Sequence, residues 1–330
     1  MEYFRKLVPY NEFWMNCILN SAYSIATSVD PSYASAAYMN NYSYKSWGAF
    51  MDMEFITPTL EVLDYADDWD NFVLSRVIKG ETPVFFEDPA QFLTELRGMI
   101  SNQKWIKLNV DLFYWLPKNI AWDRFHMSHY AIVNGFDLQR KLYSALDDDI
   151  DGYGVHFIPE ERVIQAFTNS WAMTEPDYEL PHAYIFEIEE EPAPYQLDKS
   201  EVIDHAKRLA EELSAFSFDG LWNFKEEHKP EIDEYIRIAL IGINIIENRH
   251  LGNELLFNKL IELQLIDEPL HQYVIKSTKK LKFGWKMIKQ IFINKLVSED
   301  KDIDAPLIRA KAQELLMIEQ DMWSTVANEQ

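Results

Sequence analysis

The segment 12-EFWMNCILNSAYSIA-26 holds the only cysteine of a 330-residue chain, at the point where an aromatic loop turns helical. Asn16 is placed to cap that helix by accepting a bond from a free backbone N–H. Cys17 then falls in the first turn, where unpaired amides and the positive end of the helix dipole favour a thiolate. Ile18, Ala22, Ile25 and Val29 fall on one apolar stripe, and Asn20, Ser21 and Ser24 keep the rest of the helix narrow. A narrow helix with a thiol at its N-terminus suits a buried central helix behind a nucleophile. The plainer reading of a lone thiol is a small buried apolar side chain. Residues elsewhere in the chain have to decide between the two.

Composition sets the frame. A chain of 330 residues can bury a sizeable core and is long enough for two domains. One cysteine excludes an intrachain disulfide, which suits a reducing cytoplasm. The opening MEYFRKLVPYNEFW lacks the basic-then-apolar layout of a secretory signal. The apolar run 238-IALIGINII-246 falls far short of the roughly 20 residues that span a bilayer. A soluble, cytoplasmic protein is therefore expected, with no membrane partner. The net charge of −23 argues against nucleic acid, because phosphate contacts need basic surface.

The two halves differ in texture. Up to about residue 195 the chain is aromatic and carries short strand-like runs: 105-WIKLNVDLFYWLP-117, 129-HYAIVNGFD-137, 141-KLYSALD-147 and 182-HAYIFEIEE-190. The prolines of 191-EPAPYQLDKS-200 end that pattern. Helical spacing follows in 200–216, 230–250, 252–266, 270–296 and 305–327. The expected organisation is an α+β domain over 1–195 and an all-α domain over 196–330.

A thiol nucleophile needs a base, and the base needs an orienting group. His129 opens an apolar run that reads as a strand, and the next strand-like run ends in 146-LDDD-149. If the two form a hairpin, Asp147 or Asp148 stands beside His129 at the sheet's end. Asn11, six residues before the cysteine, and the backbone N–H of Cys17 are candidate donors to a developing oxyanion.

These residues carry a resemblance. Asn16-Cys17 opening a small-residue helix, 110-VDLFYWLPKN-119, 126-HMSHYAIVNGFD-137 and a following strand ending in Asp are similar to the butirosin biosynthesis protein H-like family. Its members are papain-fold cysteine acyltransferases of antibiotic and nonribosomal peptide assembly. The resemblance covers roughly residues 10 to 170. It implies a central helix packed on an antiparallel sheet, with Cys17 as nucleophile, His129 as base and an acid after the next strand. A helical C-terminal part is also implied, in agreement with the boundary above. Papain-like enzymes use a Gln six residues before the cysteine in the oxyanion hole; here Asn11 is one methylene shorter.

Other signals read more plainly. The run 147-DDDIDG-152 opens like a calcium loop, but its twelfth position is Ile158, so the bidentate glutamate is missing. It reads as an acidic turn. His126 and His129 lack the further ligands a zinc site needs, and His126 reads as a loop residue lining a cleft. No metal or bound cofactor is expected. Against the acidic background, 276-KSTKKLKFGWKMIKQIFINK-295 has seven lysines and no acid. Lys279, Lys282, Lys286 and Lys289 recur at helical spacing opposite Leu281, Trp285, Ile288 and Phe292, either as a solvated face or as a docking stripe for an acidic carrier protein.

The expected function is acyl transfer from a carrier protein's phosphopantetheine thioester, through a Cys17 acyl-enzyme, to a small-molecule amine. The same residues serve a thioesterase or amidase-peptidase, in which water is the acceptor. A third reading is a non-catalytic carrier-binding protein. Acyl group, acceptor and oligomeric state are open.

Overall fold

The computed structural model describes residues 2–47, 57–149, 152–224 and 230–329. In chain order the strands are β1 (Glu2–Phe4), β2 (Tyr42–Trp47), β3 (Thr57–Val62), β4 (Ile78–Val84), β5 (Trp105–Asp111), β6 (Ser128–Asp137), β7 (Leu142–Asp149), β8 (Gly152–Pro159) and β9 (Ala183–Ile188). The α-helices are α1 (Cys17–Val29), α2 (Leu63–Asp67), α3 (Phe92–Ser101), α4 (Leu112–Trp115), α5 (Glu160–Thr168), α6 (Trp171–Thr174), α7 (Lys199–Ala215), α8 (Ile232–Glu262), α9 (Glu268–Val297) and α10 (Ala305–Ala327). The fold is mixed α/β, with an antiparallel sheet and a C-terminal helical region. Among the described residues no helix is long and apolar enough to cross a membrane.

The chain divides into two compact units. One comprises Met1–Asn11, Asn16–Ala34 and Phe72–Pro194; the other comprises Glu12–Met15, Ser35–Asn71 and Tyr195–Gln330. The first contains a seven-stranded antiparallel sheet in the order β4-β9-β5-β6-β7-β8, with β1 lying along the far end of β6. Alternate residues of the central strands, among them Ile106, Leu108, Val110, Ala131, Val133 and Ala145, pack with α3 and α5. Gly135 lets β1 approach: a Cβ there would stand 2.3 Å from the Phe4 ring and 2.8 Å from Tyr3 O. The expected strands near 105, 129, 141 and 182 are β5, β6, β7 and β9. The sequence reading missed β8, whose two glycines and lone histidine break the apolar alternation.

Helix α1 differs from the expected stripe. It is buried around most of its circumference from Leu19 to Thr27, whereas Ile18 is 54 % exposed. The small polar residues have a structural task. Ser24 Oγ accepts from Tyr10 N at 2.8 Å, and Asn20 Nδ2 donates to Tyr10 O at 3.0 Å, so the incoming segment lies in slots along the helix.

The second unit is the helical region plus a hairpin. Its C-terminal part begins at Tyr195, and residues 12–15 and 35–71, which the expected 1–195 and 196–330 division places in the first domain, group with it. The reason lies in the β2–β3 hairpin, whose strands pair with each other rather than with the large sheet. Tyr42 and Tyr44 of β2 donate their hydroxyls to the fully buried Glu319 of α10, at 2.6 and 2.7 Å. A buried carboxylate needs such donors, so the hairpin stays with the helices. The helical runs 230–250 and 252–266 are a single helix, α8. Gly252 does not break it: a Cβ there would lie 2.9 Å from the Phe13 ring, and the glycine is where that ring closes on the helix.

Candidate active site

Asp147, not Asp148, is the acid beside His129. Strands β6 and β7 pair antiparallel, which brings the start of one and the end of the other to the same edge of the sheet. Side chains alternate along a strand, so one of two neighbouring aspartates meets the imidazole, and the Asp148 carboxyl bonds that of Asp147 instead. The buried Asp147 accepts from Trp115 Nε1 at 2.8 Å and from Asp148 N at 2.9 Å, and its Oδ1 lies 3.3 Å from His129 Nε2. That arrangement leaves Nδ1 of the imidazole for proton exchange.

The turn that delivers Trp115 is held by its own polar residues. Asp111 caps α4 by accepting from Phe113 N at 3.0 Å. Asn119 donates to Leu112 O at 2.9 Å and accepts from the amides of Ala121 and Trp122. By residue type the aromatic run 113-FYW-115 fits a core or a cleft wall. The Trp115 indole N–H is what fixes the carboxylate.

Electrostatics around the pair are one-sided. Burial pulls the His129 pKa down, but the charge and hydrogen bond of Asp147, with Asp148 behind, outweigh it and leave the imidazole above its ordinary 6.5. Asp148 is exposed as a residue, yet its carboxyl is crowded. That desolvation and the Asp147 charge raise it to about 6.

Cys17 is the first residue of α1, and Asn16 caps the helix by accepting from Leu19 N at 2.7 Å. The expected thiolate preference is overturned. Burial foremost, then the charges of Asp147 and Asp148, push the thiol up to about 11, and the amides of Ile18 and Cys17 pull the other way without prevailing. Cys17 is thus a neutral thiol at rest, close enough to both carboxylates to feel their charge. Among the described residues it makes no hydrogen bond to His129; such bonds often tighten only once substrate is bound.

Asn11 is exposed, and its side chain makes no hydrogen bond among the described residues. The backbone amides of Ile18 and Cys17 donate to the Cys17 sulfur. Tyr153 of β8 is a further neighbour that sequence reasoning missed. Its hydroxyl is 2.6 Å from Ser21 Oγ, one turn along α1 from the thiol, and it feels the charges of Asp147, Cys17 and Asp148. The sequence signal was an aromatic between two glycines, 152-GYG-154, directly after the acidic turn.

A cavity of about 610 Å³ is lined by Lys118, Asn119, Ile120, Trp122, Arg124, Asp148 and Asp149, and reaches the site residues only at Asp148. His126 is clamped rather than free: its Nδ1 is 2.6 Å from Asp111 Oδ2 and its ring stacks on Phe113. Among the described residues no group of three or more His, Cys, Asp or Glu side chains is set to hold a metal. Residues 150 and 151 of the acidic turn lie outside the described residues.

No protein-family model matches the chain, and no curated protein matches it.

The lysine stripe of α9 is split. Leu281, Trp285, Ile288 and Phe292 are buried as expected. Lys282 pairs with Glu254 at 2.7 Å and Lys289 with Glu247 at 2.5 Å, both across to α8, which neutralises them. Lys279 and Lys286 are exposed.

Because the Asp148 charge raises the thiol pKa, Asp148→Asn should move the pH midpoint of Cys17 alkylation downward. Iodoacetamide labelling rates between pH 6 and 11 measure it. An upward move would mean that Asp148 acts on the thiol mainly through the imidazolium it stabilises.

Proposed function

We propose that this chain is a cytoplasmic cysteine acyltransferase of papain-like fold, akin to the butirosin biosynthesis protein H-like enzymes. It takes an acyl group from a carrier-protein phosphopantetheine thioester and passes it to an amine. The observation that carries the reading is the His129–Asp147 pair, fixed by Trp115, at the sheet edge whose charges reach Cys17 at the tip of α1.

In this mechanism the Cys17 proton passes to His129 as Sγ attacks the thioester carbonyl. Asp147 steadies the imidazolium, and the amides of Cys17 and Ile18 face the developing oxyanion. The tetrahedral adduct collapses, the C–S bond to the arm breaks, and the departing sulfur takes the proton from His129. The acceptor amine then attacks the acyl-enzyme, His129 removes its proton, and that proton returns to the Cys17 sulfur as it leaves. Exchange between thioesters is nearly neutral in energy and amide formation runs downhill, so no nucleotide is consumed. Exclusion of water from the acyl-enzyme decides between amine and hydroxide.

Intact-protein mass spectrometry with an acyl-pantetheine thioester tests this. The expected result is an adduct of the acyl mass on Cys17, discharged faster when an amine is added. Discharge at one rate with and without amine is the result for a thioesterase or amidase. The raised thiol pKa favours one other reading, a non-catalytic carrier-binding protein, in which no adduct forms at all.

A further inference from the structure

The outward face of α9 carries Phe283 and Met287, 66 % and 53 % exposed, one turn apart. Around them stand the exposed Lys276, Lys279, Lys280 and Lys286. These positions follow the i, i+3, i+4 and i+7 pattern of a single helix face. None of the four lysines pairs with a carboxylate among the described residues, whereas Lys282 and Lys289 on the flank do. From residue 269 to residue 298 the sequence contains no acid, in a chain whose net charge is −23. A basic ring around two exposed apolar side chains is therefore a local exception in an acidic chain.

We infer that this face is the docking surface for an acidic helical protein, the carrier that bears the acyl donor. The inference rests on the reading that the donor is carrier-bound. Charge complementarity selects the occupant: the lysines supply steering and rim contacts, and Phe283 and Met287 fill the centre. A second copy fits less well. A two-fold dimer through this face would set lysines against lysines, and a contact with another copy's acidic side would not close. A lipid surface fits poorly too, since two apolar side chains bury little and the rest of the chain is repelled by anionic headgroups.

The test is calorimetric binding of an acidic apo acyl carrier protein, which lacks the pantetheine arm and so reports docking without chemistry. Wild type should bind. Lys279→Glu with Lys286→Glu should weaken binding on the order of tenfold at low ionic strength, with a gap that narrows as salt rises. Phe283→Ser with Met287→Ser should weaken it at every salt concentration. Thermal melts of all variants check folding, and a variant that melts early is replaced by the single Lys279→Gln or Phe283→Ala. Cys17→Ala should bind as wild type does, so loss of chemistry and loss of docking are separate results. Wild-type affinity in every α9 variant, or no binding by wild type, overturns the inference. So does equal, lysine-dependent binding to phosphatidylserine vesicles, or self-association of wild type that the α9 variants abolish.

Discussion

Cys17→Ala yields no acyl adduct and no turnover while melting within a few degrees of wild type. The substitution removes a single sulfur from the first turn of α1, and the Asn16 cap on Leu19 N is untouched. Loss of the buried atom costs about 1 kcal/mol, a small part of a domain's stability. Activity is a different matter, because the acyl group has nowhere to go. Removal of a triad nucleophile lowers turnover on the order of 10⁶-fold, and the remainder comes from the oxyanion donors and binding. Mass spectrometry on wild type and variant, each mixed with acyl-pantetheine thioester, reads the adduct directly, and amide product is followed in parallel. A variant retaining more than about one part in a hundred of wild-type turnover would make the thiol a packing residue. The raised thiol pKa sharpens the contrast. A thiol near 11 has little intrinsic reactivity at neutral pH, so adduct formation there requires His129 to take the proton.

The chain's legible parts were those where one physical signal acted alone. The strands of 105–111, 129–137 and 142–149 announce themselves because apolar residues on a buried sheet interior form short runs bounded by turns. The long helices α7, α9 and α10 were legible from helical spacing, and the buried stripe of α9 from the same signal. Failures came where tertiary contact decided. The runs 230–250 and 252–266 read as two, yet Gly252 lies inside one helix and is kept small by the Phe13 ring, which is remote in sequence. Residues 35–71 follow an α+β texture, but their tyrosines answer a carboxylate at position 319, and no local pattern carries that information. In the candidate site, Cys17, His129 and an aspartate could be singled out by type and order. The choice between Asp147 and Asp148 needed the strand's phase. Trp115, Tyr153 and the Ile18 amide needed three dimensions, and so did the sign of the Cys17 shift. A helix tip by itself favours a thiolate, but two aspartates placed there by β7 reverse the balance.

Asp147→Asn and Asp148→Asn give very unequal losses, and the inequality follows from what each carboxyl touches. Asp147 faces three N–H groups, those of Trp115, the Asp148 backbone and His129. An amide at this position has one accepting oxygen and an NH₂ that can only donate, so at least one of the three meets a donor. The imidazole then turns to its other tautomer or loses its anchor, which costs on the order of 10⁴-fold in turnover in triads of this kind. Asp148 reaches His129 only through its charge, so Asp148→Asn should cost no more than about tenfold, and it also relieves the thiol. The pH profiles separate the two effects. His129 must be neutral to act as base, so activity fails as pH falls through its pKa. Asp147 raises that pKa by charge and hydrogen bond; removing the charge shifts the acid limb of the residual Asp147→Asn activity to lower pH. Turnover of acyl-pantetheine thioester from pH 5 to 9 measures both. Equal and mild losses would make the His129–Asp147 pair a structural contact, and a larger loss in Asp148→Asn would mean the wrong carboxylate had been assigned. Either outcome would also remove Trp115 from the mechanism, since its only link to the chemistry is the carboxylate oxygen it holds.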